Sequence, residues 1–550
     1  AEGVLHALPQ AIARALHARL AGRLESLGRA PARVAPHWAE AGEWARAGEA
    51  YAVAAREAQR ASRRADEVAL WEQAAACYDR ASMSGRAFDA RADSIESVIF
   101  VRGVQVAMQL ADRLAADEQT EPQRLRALTC QANVALMAGD HARGEATARA
   151  ALAAAGRLDA LWPRFEAARL LAVALAQAAR TDEALQTIEP FRDIVEREGE
   201  AEQRQRFWSD YAYALKAALR LHDCAEALRR AMQCAQAAGD YAELATLTSN
   251  LATVEGNFGH VGQALDLARR ARALRDPLGD VGGPAAGAID LYVAIYGAAC
   301  GRYADALDDL DRAAACFARN GQTMWSVLTS NHRANVLLQL GQYARVQQAL
   351  EHEPVAMASV QARTLLLRSR LERALGHAGR EPLARALELL GPGSDPYNRL
   401  LARLDATHGL PPAEAEVACA ALLDEACALE HDGIAARARV LRLQHLLRGR
   451  ALDGRRALVD EVAPTLDAVQ PADLYPAEGW WTMHRAYLAL GAEEAADRAL
   501  ADAFAWVAER ALPQVPPAFR DSFLQRNATN RELVAAAGRR LGLRLPVTPG

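Results

Sequence analysis

The chain has 550 residues, of which 51% are hydrophobic but only 6% aromatic, so alanine supplies much of the apolar content. The formal net charge of -5 and the pI of about 6.3 exclude the strongly basic surface that nucleic-acid-binding domains usually carry. The only lysine, Lys216, stands in ALKAALR, which excludes a phosphate-binding loop of the GxxxxGK[ST] kind.

The cysteines and the apolar runs indicate the compartment. The eight cysteines are scattered through predicted helices without a CxxC pair, which favours single buried thiols in a reducing environment. No apolar run approaches the ~20 residues of a membrane span, and no basic-then-apolar signal opens the sequence. We therefore expect a cytoplasmic protein without membrane contact.

Amphipathic helices are predicted in the first part of the chain. The stretch PQAIARALHARLAGRLE at 9–25 places Ile12, Leu16 and Leu20 on one helix face, and a Pro-containing turn follows. The next stretch supplies Trp38 and the small-residue spacing of a packed helix. Residues 1–60 are therefore predicted to be N-terminal helices.

A helical-hairpin unit recurs in residues 61–390, which we predict to be a repeat array. It is clearest at 241–274, where small residues flank a turn at Gly259 and let two antiparallel helices pack closely. The small residues are Ala252, Ala264, Ala268 and Ala271. The same offsets recur, with a few exceptions, around turns at 139, 179, 222, 301 and 341.

This pattern resembles the tetratricopeptide repeat, whose consensus has the same small and aromatic positions. An aromatic residue stands two places after the turn at Tyr303 and Tyr343. The turns are spaced by roughly 40 residues, more than the ~34 of the standard repeat, so longer helices are expected. We predict an all-α fold, an α-solenoid superhelix of tetratricopeptide-like helical hairpins.

Two Gly-rich and Pro-rich stretches interrupt the helical pattern. RDPLGDVGGPAAG at 275–287 is predicted to be a hinge or a loop over the groove, and GPGSDP at 391–396 to divide the array into two arms. Residues 391–510 match the repeat spacing poorly, so a second, degenerate helical-repeat arm is predicted there. Residues 511–550 are predicted to be capping helices, because RELVAAAGRRLGL has an apolar side and a basic side.

The two ends of the chain carry a family resemblance. The run LHARLAGRLESLGRAPARVAPHWAEAGEWARAGEAY at 16–51 and the run VPPAFRDSFLQRNATNREL at 515–533 resemble the ends of the repeat array in bacterial STAND-class transcriptional regulators. That class includes MalT-like and SARP-type activators. The resemblance implies signal transduction, transcription regulation and an ATPase module before residue 1. The chain has no recognisable helix-turn-helix, so no direct contact of this region with nucleic acid is expected.

No motif for catalysis, cofactor binding or metal binding occurs in the sequence. HExxH, GxSxG, GxGxxG and EF-hand patterns are absent, and the 13 histidines are dispersed. The acidic run DALDDLD at 305–311 has two interpretations, a solvated helix face or an Asp-rich magnesium site, and its spacing from Gly301 favours the solvated face. We therefore expect no enzyme activity, no cofactor and no metal.

Amide and cationic side chains recur in the predicted first helices of the hairpins, which line the concave groove of this fold. Asparagine is a poor helix former, and its amide both donates and accepts hydrogen bonds, as the backbone of a bound peptide requires. The alternatives are hydrogen bonds to neighbouring helices or plain exposure. The candidate groove residues for a ligand or peptide are Lys216, Arg220, Asn250, Thr253, Asn257, Asn331 and Asn335.

Together these features predict a binding module. The leading hypothesis is the sensor or scaffold region of a bacterial transcriptional regulator, holding a peptide, a small inducer or a protein partner in its groove. The alternative is a free-standing tetratricopeptide adaptor for protein-complex assembly. An ATPase or DNA-binding module encoded directly upstream would favour the sensor.

Overall fold

The described residues form α-helices joined by short connections, with no strand among them. The computed structural model describes residues 9–61, 63–276, 284–355, 357–391 and 395–545. Consecutive helices pack as hairpins along most of the chain. The predicted all-α array of tetratricopeptide-like hairpins is therefore confirmed. None of the described helices combines the length and the hydropathy that crossing a membrane requires.

The chain divides into two compact units, Ala1–Glu243 and Leu244–Gly550. The helices of the first unit are α1 (Gln10–Ser26), α2 (Pro31–Ala41), α3 (Trp44–Arg60), α4 (Arg64–Arg80), α5 (Ser84–Arg102), α6 (Val104–Ala116), α7 (Glu121–Met137), α8 (His141–Arg157), α9 (Leu161–Gln177), α10 (Thr181–Ile188), α11 (Arg192–Glu198), α12 (Ala201–Ala217) and α13 (Leu221–Ala238). Helix α14 (Tyr241–Asn257) begins in the first unit and continues into the second.

The second unit continues with hairpins and ends in shorter helical segments. Its helices after α14 are α15 (Val261–Arg275), α16 (Pro284–Ala299), α17 (Tyr303–Arg319), α18 (Thr323–Gln339), α19 (Tyr343–Ala349), α20 (Ala358–Ala374), α21 (Arg380–Leu389), α22 (Pro396–Ala406), α23 (Pro412–Ala428), α24 (Asp432–Arg448), α25 (Arg456–Ala468), α26 (Pro476–Ala489), α27 (Glu493–Ala505), α28 (Arg520–Gln525) and α29 (Ala528–Leu541). A π-helical segment, Trp506–Ala511, extends α27.

Left-handed residues lie at the turns of the hairpins, where glycine adopts a positive φ without a steric penalty. At the predicted turns φ is 76° at Gly139, 59° at Ala179, 80° at Gly259, 82° at Gly301 and 69° at Gly341. The predicted turn at 222 is displaced. The left-handed residue there is Leu219, at φ 60°, and His222 lies inside α13.

The small residues predicted to pack around Gly259 form the core between helices. All four predicted alanines are 0% exposed, namely Ala252, Ala264, Ala268 and Ala271. They share one apolar cluster with Ile289 and Val293 of α16, which begins the next hairpin. This hairpin therefore buries its apolar face on the next one, as expected for a repeat array.

The C-terminal helices pack back onto earlier hairpins of the second unit. The Cα of Ala511 lies 3.4 Å from the position that a Cβ would take on Gly301. The hydroxyl of Ser522 donates to the carbonyl oxygen of Leu340 at 2.7 Å.

The division into compact units does not fall at residue 391, because 244–390 and 391–550 belong to the same unit. The predicted boundaries at 60, 390 and 510, which separate the N-terminal helices, the repeat array, the degenerate arm and the capping helices, stay predictions. The centres of the two predicted loops, residues 277–283 and 392–394, lie outside the described residues.

Candidate functional site

The connection between α25 and α26, residues 469–475, packs between the hairpin turn at Gly259 and the start of α24 at Gly433. We call this connection the strap. It leaves α25 in extended conformation. The N–H of Gln470 donates to the carbonyl oxygen of Gly259 at 2.9 Å, and the N–H of Ala472 donates to that of Gly433 at 2.7 Å. The strap is therefore held by backbone hydrogen bonds on both sides.

Gly259 makes room for the strap as well as turning the hairpin. A Cβ at this position would lie 2.5 Å from Cγ1 of Val469 and 2.7 Å from the carbonyl oxygen of Gln470. Both distances are too short for real contacts, so a larger residue would push the strap away. Gly259, which the sequence predicts as a turn residue, thus also allows the strap to pack closely against the hairpin.

Two buried carboxylates and three arginines surround the middle of the strap. Asp473 accepts hydrogen bonds from both terminal nitrogens of Arg363, at 2.6 and 2.5 Å, and a further one from Arg370. Arg370 also donates to Asp405 at 2.7 Å, and Arg437 donates to the same carboxylate. The side chains of Asp473 and Asp405 are 5% and 0% exposed. Arg370 therefore joins both carboxylates into one buried ionic network.

Burial alone would raise the pKa of these carboxyl groups, but the arginines reverse its effect. Arg363, Arg370 and Arg437 hold the pKa of Asp473 well below its usual range. The pKa of Asp405 is lowered in the same way, by Arg370 and Arg437. Both carboxylates stay ionised at neutral pH, and removal of either would leave buried guanidinium groups uncompensated.

A cavity of about 230 Å³ lies between the strap and the hairpins that turn at 259, 301 and 341. One water molecule needs only ~10–15 Å³ on the same scale, so there is room for a small organic molecule. The wall is mostly apolar. Its apolar residues include Val261, Ala294, Ala298, Leu328, Val336 and Leu474.

The cavity wall also carries polar groups whose hydrogen-bonding capacity is unused. His332 lines the cavity and makes no hydrogen bond among the described residues. Burial and the nearby Arg363 lower the pKa of His332 to about 3, so the ring is neutral and offers one donor and one acceptor. The hydroxyls of Tyr296 and Tyr397 likewise have no hydrogen-bond partner in the described chain. Burial raises the pKa of Tyr397 to about 12, so its hydroxyl stays protonated.

No protein-family model matches the chain, and no curated protein matches it either. Among solved structures, the chain is similar to BtubC (BKLC) from P. vanneervenii, with 21% sequence identity, 40% of this chain and 91% of BtubC covered, and a TM-score of 0.33. It is also similar to a Rap protein crystallised with Competence and Sporulation Factor, with 14% identity, 68% of this chain and 99% of the Rap chain covered, and a TM-score of 0.41. At these values neither likeness assigns a function.

Two of the predicted groove residues lie on α18, but their contacts differ. Asn335 lines the cavity, and its amide donates to Oδ1 of Asp473 at 3.3 Å. Asn331 is 1% exposed, and its amide donates to the carbonyl oxygen of Val360 at 3.3 Å while its Oδ1 accepts from Thr364 at 3.0 Å. Asn331 therefore ties α18 to α20, which is one of the alternatives that the sequence left open. A contact of Asn335 with a ligand stays a prediction.

Three further predicted residues lie on α14. Asn250 is exposed, and its carbonyl oxygen accepts from Oγ1 of Thr253 at 2.7 Å. Asn257 ends the helix, and its carbonyl oxygen lies 3.2 Å from the position of a Cβ on Gly433. These three residues are not part of the described cavity wall. Their contact with a ligand stays a prediction.

The two predicted cationic residues lie in the first unit. Lys216 stands near the end of α12, and Arg220 stands in the connection to α13, where its Nε donates to Asp223 at 2.8 Å. The seven predicted residues are thus distributed over both compact units. A role of Lys216 and Arg220 in ligand binding stays a prediction.

Sequence reasoning missed the residues that shape the cavity, namely His332, Arg363 and Asp473. Arg363 and Arg370 are two turns apart on α20, so they lie on the same helix face. Two arginines on one face indicate that both could pair with the same acidic group. Nothing local in the sequence connects them with Asp473, which follows Arg363 by 110 residues. The pairing is visible only in the folded chain.

No group of three His, Cys, Asp or Glu side chains among the described residues is arranged to hold a metal ion. The acidic run at 305–311 differs from the predicted solvated face at Asp309. This residue is 4% exposed and accepts a hydrogen bond from Arg272 at 2.8 Å. The acidic run is therefore partly used in an ion pair between helices.

Proposed function

We propose that this chain is the non-catalytic sensor region of a bacterial transcriptional regulator and that a small inducer binds in the cavity beside the strap. The cavity itself carries the proposal. The cavity has a volume of about 230 Å³ and lies beside the strap. His332, Tyr296 and Tyr397 contribute hydrogen-bonding groups to its wall that have no partner in the described chain. Concave, mostly apolar pockets with a few polar groups are the usual form of small-ligand sites.

The strap favours a small inducer over an extended peptide or a protein in this groove. It already forms the backbone hydrogen bonds to Gly259 and Gly433 that a peptide would need. A peptide that displaced it would separate Asp473 from Arg363, and breaking a buried ion pair costs about 3–5 kcal/mol. A small molecule occupies the space beside the strap without this cost.

The regulatory context rests on the resemblance of residues 16–51 and 515–533 to the ends of STAND-class repeat arrays. In that arrangement the ATPase and DNA-binding modules lie outside this region, which acts in the cytoplasm and does not itself contact nucleic acid. Asn335 is proposed as a ligand contact. The remaining candidates are proposed as a separate surface for a peptide or protein partner, and they are Lys216, Arg220, Asn250, Thr253 and Asn257.

The alternative, a free-standing tetratricopeptide adaptor, is distinguished by the coding sequence upstream of this region. An ATPase or DNA-binding module fused to residue 1 supports the sensor. A gene that encodes only the repeat array supports the adaptor.

The proposal is tested with a substitution that fills the cavity. Ala299 lines it near the end of α16, and Ala299→Phe places an aromatic ring in the space. Ala285 is exposed on the same helix, so Ala285→Phe is a matched control. Both variants and the wild type are screened against a library of small molecules by thermal shift, after circular dichroism has shown that all three are equally helical.

We expect compounds that raise the melting temperature of the wild type and of Ala285→Phe but not that of Ala299→Phe. Compounds that stabilise all three proteins equally would place the binding site elsewhere. A library without a stabilising compound would contradict the proposal.

A further inference from the structure

The charged groups on the described cavity wall are already paired with each other. Arg363 and Asp473 are joined by two hydrogen bonds of 2.6 and 2.5 Å, and their side chains are 10% and 5% exposed. Arg370 makes a third contact with Asp473 from outside the cavity wall. A charged ligand group would have to enter without a counterion or break this pair, and both are unfavourable in a buried site.

The polar groups that remain are uncharged. His332 has a lowered pKa and is neutral at physiological pH. The hydroxyls of Tyr296 and Tyr397 add further donors and acceptors without a charge. The wall therefore offers hydrogen bonds to a dipolar group and no counterion to a charged one.

The apolar part of the wall lies on neighbouring helices. Ala294 and Ala298 come from α16, whereas Leu328 and Val336 come from α18, the helix that also carries His332. A ligand that fills the cavity places its larger part against these side chains. Its polar group is then within reach of the neutral ring.

We infer that the ligand of this cavity is an uncharged amphipathic molecule whose apolar body packs on α16 and α18 and whose amide or other carbonyl group hydrogen-bonds His332. This inference rests on the proposed function, because it names the chemical class of ligand for the same cavity. A carboxylate or an ammonium group on the same skeleton binds less tightly, since Arg363 and Asp473 on the cavity wall already pair with each other. The ammonium group is opposed in addition by the excess of arginine over aspartate in the buried network.

Three probes on one skeleton test the charge selection, namely 4-phenylbutanamide, 4-phenylbutanoate and 4-phenylbutylamine. Each is titrated into the wild type, Ala285→Phe and Ala299→Phe at neutral pH and followed by saturation-transfer NMR. We expect the amide to bind the wild type and Ala285→Phe, and to lose binding in Ala299→Phe. The two charged probes should bind the wild type at least about tenfold more weakly than the amide, because each meets an uncompensated burial cost.

Two substitutions test the role of His332. His332→Phe keeps an aromatic ring but removes both hydrogen-bonding nitrogens, and it should weaken amide binding by about fivefold. His332→Gln retains a donor and an acceptor and should restore most of the affinity. Equal melting temperatures of the two variants show that the difference lies in the hydrogen bond.

The outcomes separate this inference from the proposed function. If the carboxylate or the amine binds as tightly as the amide and is lost in Ala299→Phe, the charge selection is wrong and the cavity remains a ligand site. If no probe binds, or if Ala299→Phe affects none of them, both are overturned. Unchanged amide affinity in His332→Phe overturns the assignment of His332.

Discussion

The two compact units are built from the same helical hairpin but differ in the range of their polar contacts. In the first unit, Asp93 pairs with Arg126, which is 33 residues away on a nearby hairpin. In the second unit, Asp473 pairs with Arg363 over 110 residues, and Ser522 donates to a carbonyl oxygen 182 residues earlier. The first unit thus shows the short-range pairing of a simple repeat array, whereas the second is crossed by long-range contacts.

This difference shapes the cavity beside the strap. A repeat array in which hairpins contact only their neighbours is stabilised locally. The strap connects the hairpin turn at Gly259 with Gly433 at the start of α24, and it supplies one wall of the cavity. We therefore expect changes at the strap to affect the whole second unit, and equivalent changes in the first unit to stay local.

The largest expected effect is that of Asp473→Ala. This substitution leaves Arg363 and Arg370 buried without a carboxylate partner and should destabilise the second unit by about 3–5 kcal/mol. Asp93→Ala breaks a more exposed pair with Arg126 in the first unit and should cost less than about 1 kcal/mol. Hydrogen exchange measured by mass spectrometry gives the stability of each unit separately. Equal costs for the two substitutions would contradict the contrast between the units.

A smaller effect is expected from alanine at two turn glycines of nearly equal φ. Gly139, at 76°, has no atom within 4 Å of a Cβ, so Gly139→Ala should cost only backbone strain, about 1 kcal/mol. Gly259, at 80°, faces Val469 and Gln470 of the strap at 2.5 and 2.7 Å, so Gly259→Ala should cost about 1–3 kcal/mol more. The free energies of unfolding of the two variants are compared by urea denaturation monitored by hydrogen exchange. A Gly259→Ala variant no less stable than Gly139→Ala would show that the strap does not depend on close contact here.

The smallest expected effect is an opposite response of the two units to acid. Burial lowers the pKa of His332 and His408 to about 3 and that of His445 to about 4, so these residues take up protons only when the second unit unfolds. In the first unit, burial and the like charges of Asp240 and Asp210 raise the pKa of Glu243 to about 7, so its folded state takes up the extra proton.

Because a state that binds more protons gains stability as pH falls, a change from pH 7 to pH 6 should destabilise the second unit and stabilise the first. Each shift should be on the order of 1 kcal/mol. Protection factors from hydrogen exchange at both pH values measure it. Shifts of the same sign in both units would be inconsistent with these environments.

The hairpins could be predicted from the sequence because their signals are local. Gly259, Gly301 and Gly341 mark turns that the positive φ angles confirm, and Ala264 and Ala268 are fully buried as their offsets require. A helical turn and its packing residues lie within one or two repeats. Their spacing is therefore readable without knowledge of the rest of the fold.

The site could be predicted only in part. The position of Asn335 on a first helix predicts a groove residue, and Asn335 lines the cavity, but its contact with a ligand stays a prediction. The same rule predicts Asn331 as a groove residue, but Thr364 and Val360 of α20 satisfy its amide. The strap could not be predicted, because the contacts of Asp473 depend on how distant hairpins meet. Helical periodicity carries no information about such contacts.

The claim that the cavity beside the strap is the ligand site is tested most directly by the NMR signal of the His332 ring. In protein labelled at histidine Cε1, the signals of His332 and of His37 in the first unit are assigned by their absence from His332→Phe and His37→Phe. We predict that 4-phenylbutanamide shifts the His332 signal in a saturable manner and leaves the His37 signal unchanged. A His332 signal that does not move at concentrations that saturate binding would contradict the account.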